Sequence, residues 1–153
     1  GVYYTPRYIV DYIVKNTVCK LLEGKTPAEA SALSVVDPAC GSGSFLLGAY
    51  QYLLDWHEGY YLEHDPESFA RGKSPALVPM GAGVYRLSTA ERKRILVNNI
   101  YGVDIDAQAV EVTKLSLLLK LLEQESGQLP LGFERVLPDL GRNIRCGNSL
   151  SGR

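Results

Sequence analysis

Residues 36–46 read Val36-Asp37-Pro38-Ala39-Cys40-Gly41-Ser42-Gly43-Ser44-Phe45-Leu46. Before them, Leu33 to Val36 is a short apolar run, and Pro38 ends any strand there because proline cannot donate to a ladder. After them, Phe45, Leu46, Ala49, Tyr50, Leu53, Leu54 and Trp56 recur at a helical period. A strand, a glycine turn and a helix therefore follow one another. Two more short apolar runs have strand character: Ile100 to Val103, ending at Asp104, and Ile144 to Cys146, followed by Gly147-Asn148. Strands alternating with helices predict a parallel α/β sheet with right-handed crossovers. Ligands bind beyond the carboxyl ends of such strands. The unusual residues of this chain gather there: Asp37 to Gly43, Asp104 and Asn148.

The rest of the chain supplies helices and connections. Thr5-Pro6 reads as a hydroxyl N-cap with proline in the first helical position. Val10, Val14, Val18, Leu21 and Leu22 then form a helical stripe, widened by Ile9 and Ile13, with Gly24 as C-cap. The β-branched content also suits a strand, but no period-two alternation accompanies it. Thr26-Pro27-Ala28-Glu29 is a capping box that opens a second helix. Residues 65–86 carry Pro66, Pro75, Pro79 and glycines 72, 81 and 83, and read as an irregular surface loop. Ser88 and Glu91 form another capping box, for a helix through Val97. Asp106 caps a long helix to about Gln124 that is apolar almost all round from Leu115, which predicts burial on several sides. Residues 127–142 read as a further connection. The Glu91-Arg92-Lys93-Arg94 cluster reads as a solvated helix face. Tyr8 and Tyr12, one helical turn apart, read as packing residues, as do Tyr60 and Tyr61. His57 and His64 have no partner at ligand spacing and read as structural or exposed. Cys40 reads as a small packing residue.

The 153 residues are enough for one domain, and 46% apolar with 22% charged is ordinary for a soluble protein. No apolar run approaches the roughly 20 residues of a membrane span, and residues 1–10 lack a signal-like pattern. The first residue is Gly1, so a longer parent is expected. Cys19, Cys40 and Cys146 are scattered and odd in number, which suggests neither a zinc site nor a disulfide framework and fits a cytoplasmic protein. The net charge of −1 comes with scattered cations, so any grip on a nucleic acid is expected to lie mostly outside this chain.

The strand-end residues suit a nucleoside-containing ligand. Glycines let backbone N–H groups approach it. Asp104 can accept from two ribose hydroxyls, and the Asn148 amide can bond a purine edge. Singly these are ordinary residues: glycines turn, aspartates cap helices, and Gly-Asn-Ser turns. Together, on three strand ends, they are far less ordinary. A phosphate-cradling loop needs Gly-Lys-Ser/Thr, which is absent. A dinucleotide fingerprint needs a third glycine where Leu46 stands, and its pyrophosphate is repelled by Asp37. A carboxylate beside the turn favours a cationic ligand. S-adenosyl-L-methionine (AdoMet), with its ammonium and sulfonium, fits better than a nicotinamide cofactor.

The stretch Asp37 to Leu46, DPACGSGSFL, resembles the first AdoMet-binding motif of amino-group DNA methyltransferases. Tyr3-Tyr4-Thr5-Pro6 is similar to the motif that precedes it in adenine-specific members, and Tyr101 to Asp106 is similar to the second. Ile144 to Leu150 resembles the third motif of large fused restriction–modification and phage-defence methylases. The resemblance implies a Rossmann-like AdoMet-dependent methyltransferase fold, present in part through its first three parallel strands. It divides the chain into a helical segment, 1–32, carrying the cofactor-carboxylate motif, and a first half of the methyltransferase domain, 33–153, with an irregular insertion near 65–87. It places Tyr4 and Thr5 near the methionine carboxylate. Asp37, Pro38, Ala39, Cys40, Gly41, Gly43 and Phe45 belong to the cofactor turn, with Asp37 near the methionine ammonium. Asp104 takes the ribose hydroxyls, Ile105 packs on the adenine ring, and Asn148, where many relatives carry aspartate, takes the adenine amino group.

One motif is missing. The family's catalytic Asp/Asn/Ser-Pro-Pro-aromatic sequence has no counterpart, for the chain contains no Pro-Pro pair. That motif binds the target amine of a base flipped from the duplex. It follows the third strand in the family, where this chain ends, so a piece of a longer enzyme is expected, inactive alone and without a catalytic residue of its own. The parent is expected to methylate the exocyclic amino group of adenine in DNA, bound through C-terminal parts. An RNA or protein-glutamine methyltransferase is the alternative. The first strand is expected to be an open edge and the long helix to lack cover, which predicts self-association or poor stability.

Overall fold

The computed structural model describes residues 5–123 and 137–148. Its centre is a parallel sheet of β1 (Val35–Asp37), β4 (Ile100–Asp104) and β5 (Ile144–Cys146), in the order β1-β4-β5. Val35 pairs with Ile100, and Gly102 with Ile144. Side chains alternate across a strand, and burial follows that alternation. Val35, Ile100, Gly102 and Ile144 are buried beneath the helices, whereas Val36 is 57% exposed and Arg145 is exposed.

The helix after the glycine turn, α4 (Ser44–Glu63), buries Leu46, Ala49, Tyr50, Leu53, Leu54, His57 and Tyr61. This spacing of three and four residues makes one broad stripe, and the stripe is the middle of the core. Asn99 and Asn143 tie the lower edge of the sheet. Asn99 Nδ2 donates to the carbonyls of Ala30 and Leu33, and Asn143 Nδ2 to those of Val97 and Ile100.

The N-terminal helix is broken where the sequence reads as continuous. α1 (Arg7–Asn16) and α2 (Val18–Leu22) meet at Thr17, whose φ of −125° and ψ of −83° leave the helical region. The Thr17 hydroxyl donates to the Ile13 carbonyl at 2.7 Å, a local bond of the kind that competes with the helical ladder. Pro6, not Thr5, stands at the N-cap, with no side-chain capping bond. Val10, Val14, Val18 and Leu22 are buried, but Ile9, Ile13 and Leu21 are not part of the stripe. Tyr8, 74% exposed, and Tyr12 face outward rather than packing. The Thr26 capping box forms in both directions, opening α3 (Pro27–Ala30).

Residues 65–86 are ordered, contrary to their reading as an irregular loop. They form α5 (Pro66–Phe69) and an antiparallel hairpin, β2 (Leu77–Gly81) with β3 (Val84–Leu87). Leu77 and Leu87 pair at the base of the hairpin and are both buried in the core.

The charged cluster 91–94 is likewise half buried. In α6 (Thr89–Asn99), the Ser88 hydroxyl accepts from Glu91 N, but the Glu91 carboxylate turns to the Tyr61 hydroxyl and Arg94 instead of completing the box. Arg92, buried, donates to the carbonyls of Leu121 (2.9 Å) and Lys120 (2.5 Å). These carbonyls lie in the last turn of α7 (Ala107–Leu122), so Arg92 reinforces the C-terminal end of that helix from another helix. Asp106 caps the other end of α7 by accepting from Gln108 N. One face of α7 is buried through Ala109, Val110, Thr113, Leu117 and Leu121. Val112, Leu115 and Leu119 are exposed, so the helix is not buried all round among the described residues. No described helix is long and apolar enough to cross a membrane.

His57 makes stability depend on pH. Its Nδ1 lies 2.6 Å from the Leu53 carbonyl, which can only accept, so Nδ1 carries the proton. Nε2 is buried with no partner. Burial holds the ring's pKa below its usual value, outweighing the Leu53 bond and the Glu91 charge. Below about pH 6.5 the unfolded chain binds a proton that folded His57 refuses, so stability falls with falling pH. Urea melts are expected to lose stability from pH 7 to 5.5, with a slope of at most ~1.4 kcal/mol per unit for one proton, and His57→Phe flattens it. An unchanged slope in that variant would assign the effect elsewhere. Glu91 acts only at lower pH. Burial raises its pKa, but Arg94 and Tyr61 outweigh it and hold the carboxyl below its usual value, so its contribution is lost only as pH drops below the carboxylate range.

Candidate functional site

Asp37 closes β1 with an Asx turn, accepting from Ala39 N at 3.1 Å. Cys40 N then donates to the Val103 carbonyl at 2.9 Å, which holds the turn against β4. Gly41, with φ of +53°, donates its N–H to Asp104 Oδ2 at 2.9 Å. Gly43, with φ of +85°, donates to the Cys40 carbonyl at 2.8 Å and starts α4. The N–H groups of both glycines are therefore used by the turn itself, whereas the sequence reading offered them to a ligand. Their role here is the left-handed backbone, which side-chain-bearing residues rarely adopt. Above Gly41 is open space: a Cβ there meets nothing within 4 Å.

Asp104 is the junction of three strand ends. Its Oδ2 holds Gly41 N, its Oδ1 accepts from Asp106 N at 2.8 Å, and its main-chain carbonyl accepts from Gly147 N at 2.9 Å. Beside it, Ile105 is 77% exposed. The Cys146 thiol reaches the Ile105 carbonyl at 3.6 Å, which brings the end of β5 to the same place. Asn148 is exposed just beyond it, and Pro38 and Ala39 are exposed at the rim of the turn. Phe45 is half-buried against the core. Cys40 is buried, and burial pushes its thiol pKa up, with Asp104 and Asp37 adding to this. Its side chain packs in the core beneath the turn.

Two hollows flank the turn. One, of about 920 Å³, lies between α1, α4 and the end of α7, and is lined by Thr5 and Ser44 among others. The other, of about 560 Å³, is lined by Ser42, Asp106 and Val112. Asp37, Asp104, Ile105 and Asn148 line neither and form an open ledge at the strand ends. Tyr4 lies outside the described residues, as do Ser149 and Leu150. Thr113 was not legible as a site residue. It is fully buried on α7, and its hydroxyl donates to the Gly41 carbonyl at 3.0 Å. A lone polar residue in an otherwise apolar stripe was the only signal of it.

Fold and site together define an α/β protein with an open ledge at the carboxyl ends of its parallel strands. Residues 19–152 match the family described as MmeI, DNA-methyltransferase domain, and the chain belongs to that family. The chain is 36% identical over 95% of its length to the type II restriction enzyme and methyltransferase RM.Eco57I of Escherichia coli, of which it spans 14%. It is 26% identical over 93% of its length to the adenine-specific methyltransferase BrxX of Escherichia coli O9:H4 (strain HS), of which it spans 12%. A nuclease-deletion mutant of the Type ISP restriction-modification enzyme LlaGI, solved with a DNA substrate mimic, shares the fold with a TM-score of 0.56 and 17% identity, over 97% of this chain and 10% of that one.

Proposed function

We propose that this chain is the AdoMet-binding portion of a Rossmann-like DNA methyltransferase that methylates the exocyclic amino group of adenine. The observation that carries the reading is Asp104. Two backbone N–H groups fix its carboxylate at a strand end, beside an exposed isoleucine and the open space over Gly41. Each carboxylate oxygen keeps a further lone pair, so a pinned Asp104 can still accept from a ribose diol. Ile105 offers an apolar seat for a purine, and Asp37 offers negative charge near an ammonium. The chemistry supplied by AdoMet, when bound, is an electrophilic methyl group on sulfonium. The residues of this chain orient it and leave the acceptor amine to other parts of the enzyme. DNA and adenine as substrates are supported by the family and by the names of the relatives.

Calorimetric titration with AdoMet tests the cofactor. Micromolar binding, about −8 kcal/mol, is expected. Ile105→Ala is expected to bind roughly fivefold more weakly, from about 1 kcal/mol of lost apolar contact, with an unchanged melting temperature because the side chain is exposed. A folded chain that ignores AdoMet overturns the cofactor, and full affinity in Ile105→Ala overturns the purine seat. For the parent enzyme, digestion of methylated DNA is expected to yield N6-methyladenine.

A further inference from the structure

Gly41 is held at both of its backbone polar groups. Asp104 accepts from its N–H, and the Thr113 hydroxyl donates to its carbonyl. Thr113 does more than bond Gly41. Its side chain fills the space beside Gly43 so closely that a Cβ on that glycine stands 2.9 Å from Thr113 Cγ2 and Oγ1. A single buried side chain on α7 thus meets both left-handed glycines of the turn between β1 and α4. Its neighbours in the buried stripe of α7, Ala109, Val110, Leu117 and Leu121, are all apolar. The hydroxyl in that stripe is directed to the Gly41 carbonyl, at 3.0 Å, rather than to its own helix.

We propose that Thr113 is a positioning residue for the AdoMet site: it locks the glycine turn from the α7 side, so that the left-handed Gly41 and Gly43 are set before the ligand arrives. This rests on the cofactor reading above. Fixing a loop in its bound shape beforehand raises affinity by removing the ordering penalty from the binding step. Thr113 does this without touching the ligand.

The test compares the full chain with Thr113→Val, Thr113→Ser and Val110→Ala. Valine keeps the volume and removes the hydroxyl, serine keeps the hydroxyl, and Val110→Ala weakens the core of the same helix away from the turn. AdoMet titration is expected to show Thr113→Val about five- to tenfold weaker than wild type, the loss of one ordinary hydrogen bond. Thr113→Ser is expected within about twofold of wild type, on the same scale of hydrogen-bond strength. Val110→Ala is expected to melt earlier but to bind as wild type does. Amide exchange read without ligand is expected to quicken at Gly41 and Gly43 in Thr113→Val and in neither other variant. If the valine variant does not fold, Thr113→Ala, which cannot clash, reads the same loss. Unchanged exchange at Gly41 overturns the lock. Unchanged affinity in Thr113→Val, with wild type binding, overturns its service to the ligand. A wild type that binds no AdoMet while the exchange pattern appears as expected overturns the cofactor reading instead.

Discussion

Asp104→Asn is expected to abolish measurable AdoMet binding and to lower the melting temperature by about 6 °C. The carboxylate accepts from Gly41 N and Asp106 N through different oxygens. An asparagine has one oxygen, so whichever way the amide turns, its NH₂ meets a backbone N–H. A donor left without an acceptor costs about 1–3 kcal/mol, and at this chain length each kcal/mol moves the midpoint by roughly 2–4 °C. The ribose contacts suffer more. Hydrogen bonds to a charged group contribute about 1.5–3 kcal/mol each, so losing a bidentate carboxylate weakens binding by at least about 100-fold. Calorimetry beside a thermal melt measures both. An asparagine variant that binds within a few-fold of wild type would remove Asp104 from the ligand site and leave it as a structural junction.

Gly43→Ala is expected to be the most destabilising single-methyl change at the turn, by about 3 kcal/mol. Its φ of +85° costs an alanine about 1 kcal/mol, and the new methyl lands 2.9 Å from the buried Thr113 side chain. Gly41→Ala is the internal control. It has a positive φ of +53° and open space for the methyl, so only the backbone penalty of about 1 kcal/mol applies. Urea denaturation of the two variants separates strain from collision. In Gly43→Ala/Thr113→Ala the collision is relieved, and the double variant is expected to recover about 1–2 kcal/mol relative to additivity. Equal losses at Gly41 and Gly43 would show that Thr113 does not press on the turn.

Local signals carried much of this structure. Thr26 and Glu29 form their capping box, Asp106 caps α7, and the runs ending at Asp37, Asp104 and Cys146 are the parallel strands. Each is decided by residues within a few positions. What escaped depends on distant partners. Pro79 and the glycines of residues 72–83 look like breakers, yet Leu77 and Leu87 find the core and hold a hairpin together. Arg92 looks solvent-bound until the carbonyls of Lys120 and Leu121 are brought to it. Thr17 stands at the break after α1 with its hydroxyl on the Ile13 carbonyl, a bond that the residue type alone does not announce. At the site, the residue types were legible and their bonding was not. Asp104 was read as a ligand group, and its second task, tying Gly41 to Asp106, needed coordinates.

The pairing of Val35 with Ile100 bears on how the molecule acquires its structure. Helices and a short hairpin can nucleate from neighbouring residues, but β1 has no local partner. Its ladder must wait until α4, the hairpin and α6 have brought β4 alongside, and closure over so long a span is slow. Asp104 arrives with β4, and only then can Gly41 be held. The ledge thus depends on two long-range strand pairings rather than on any one helix, and it is expected to form with the sheet.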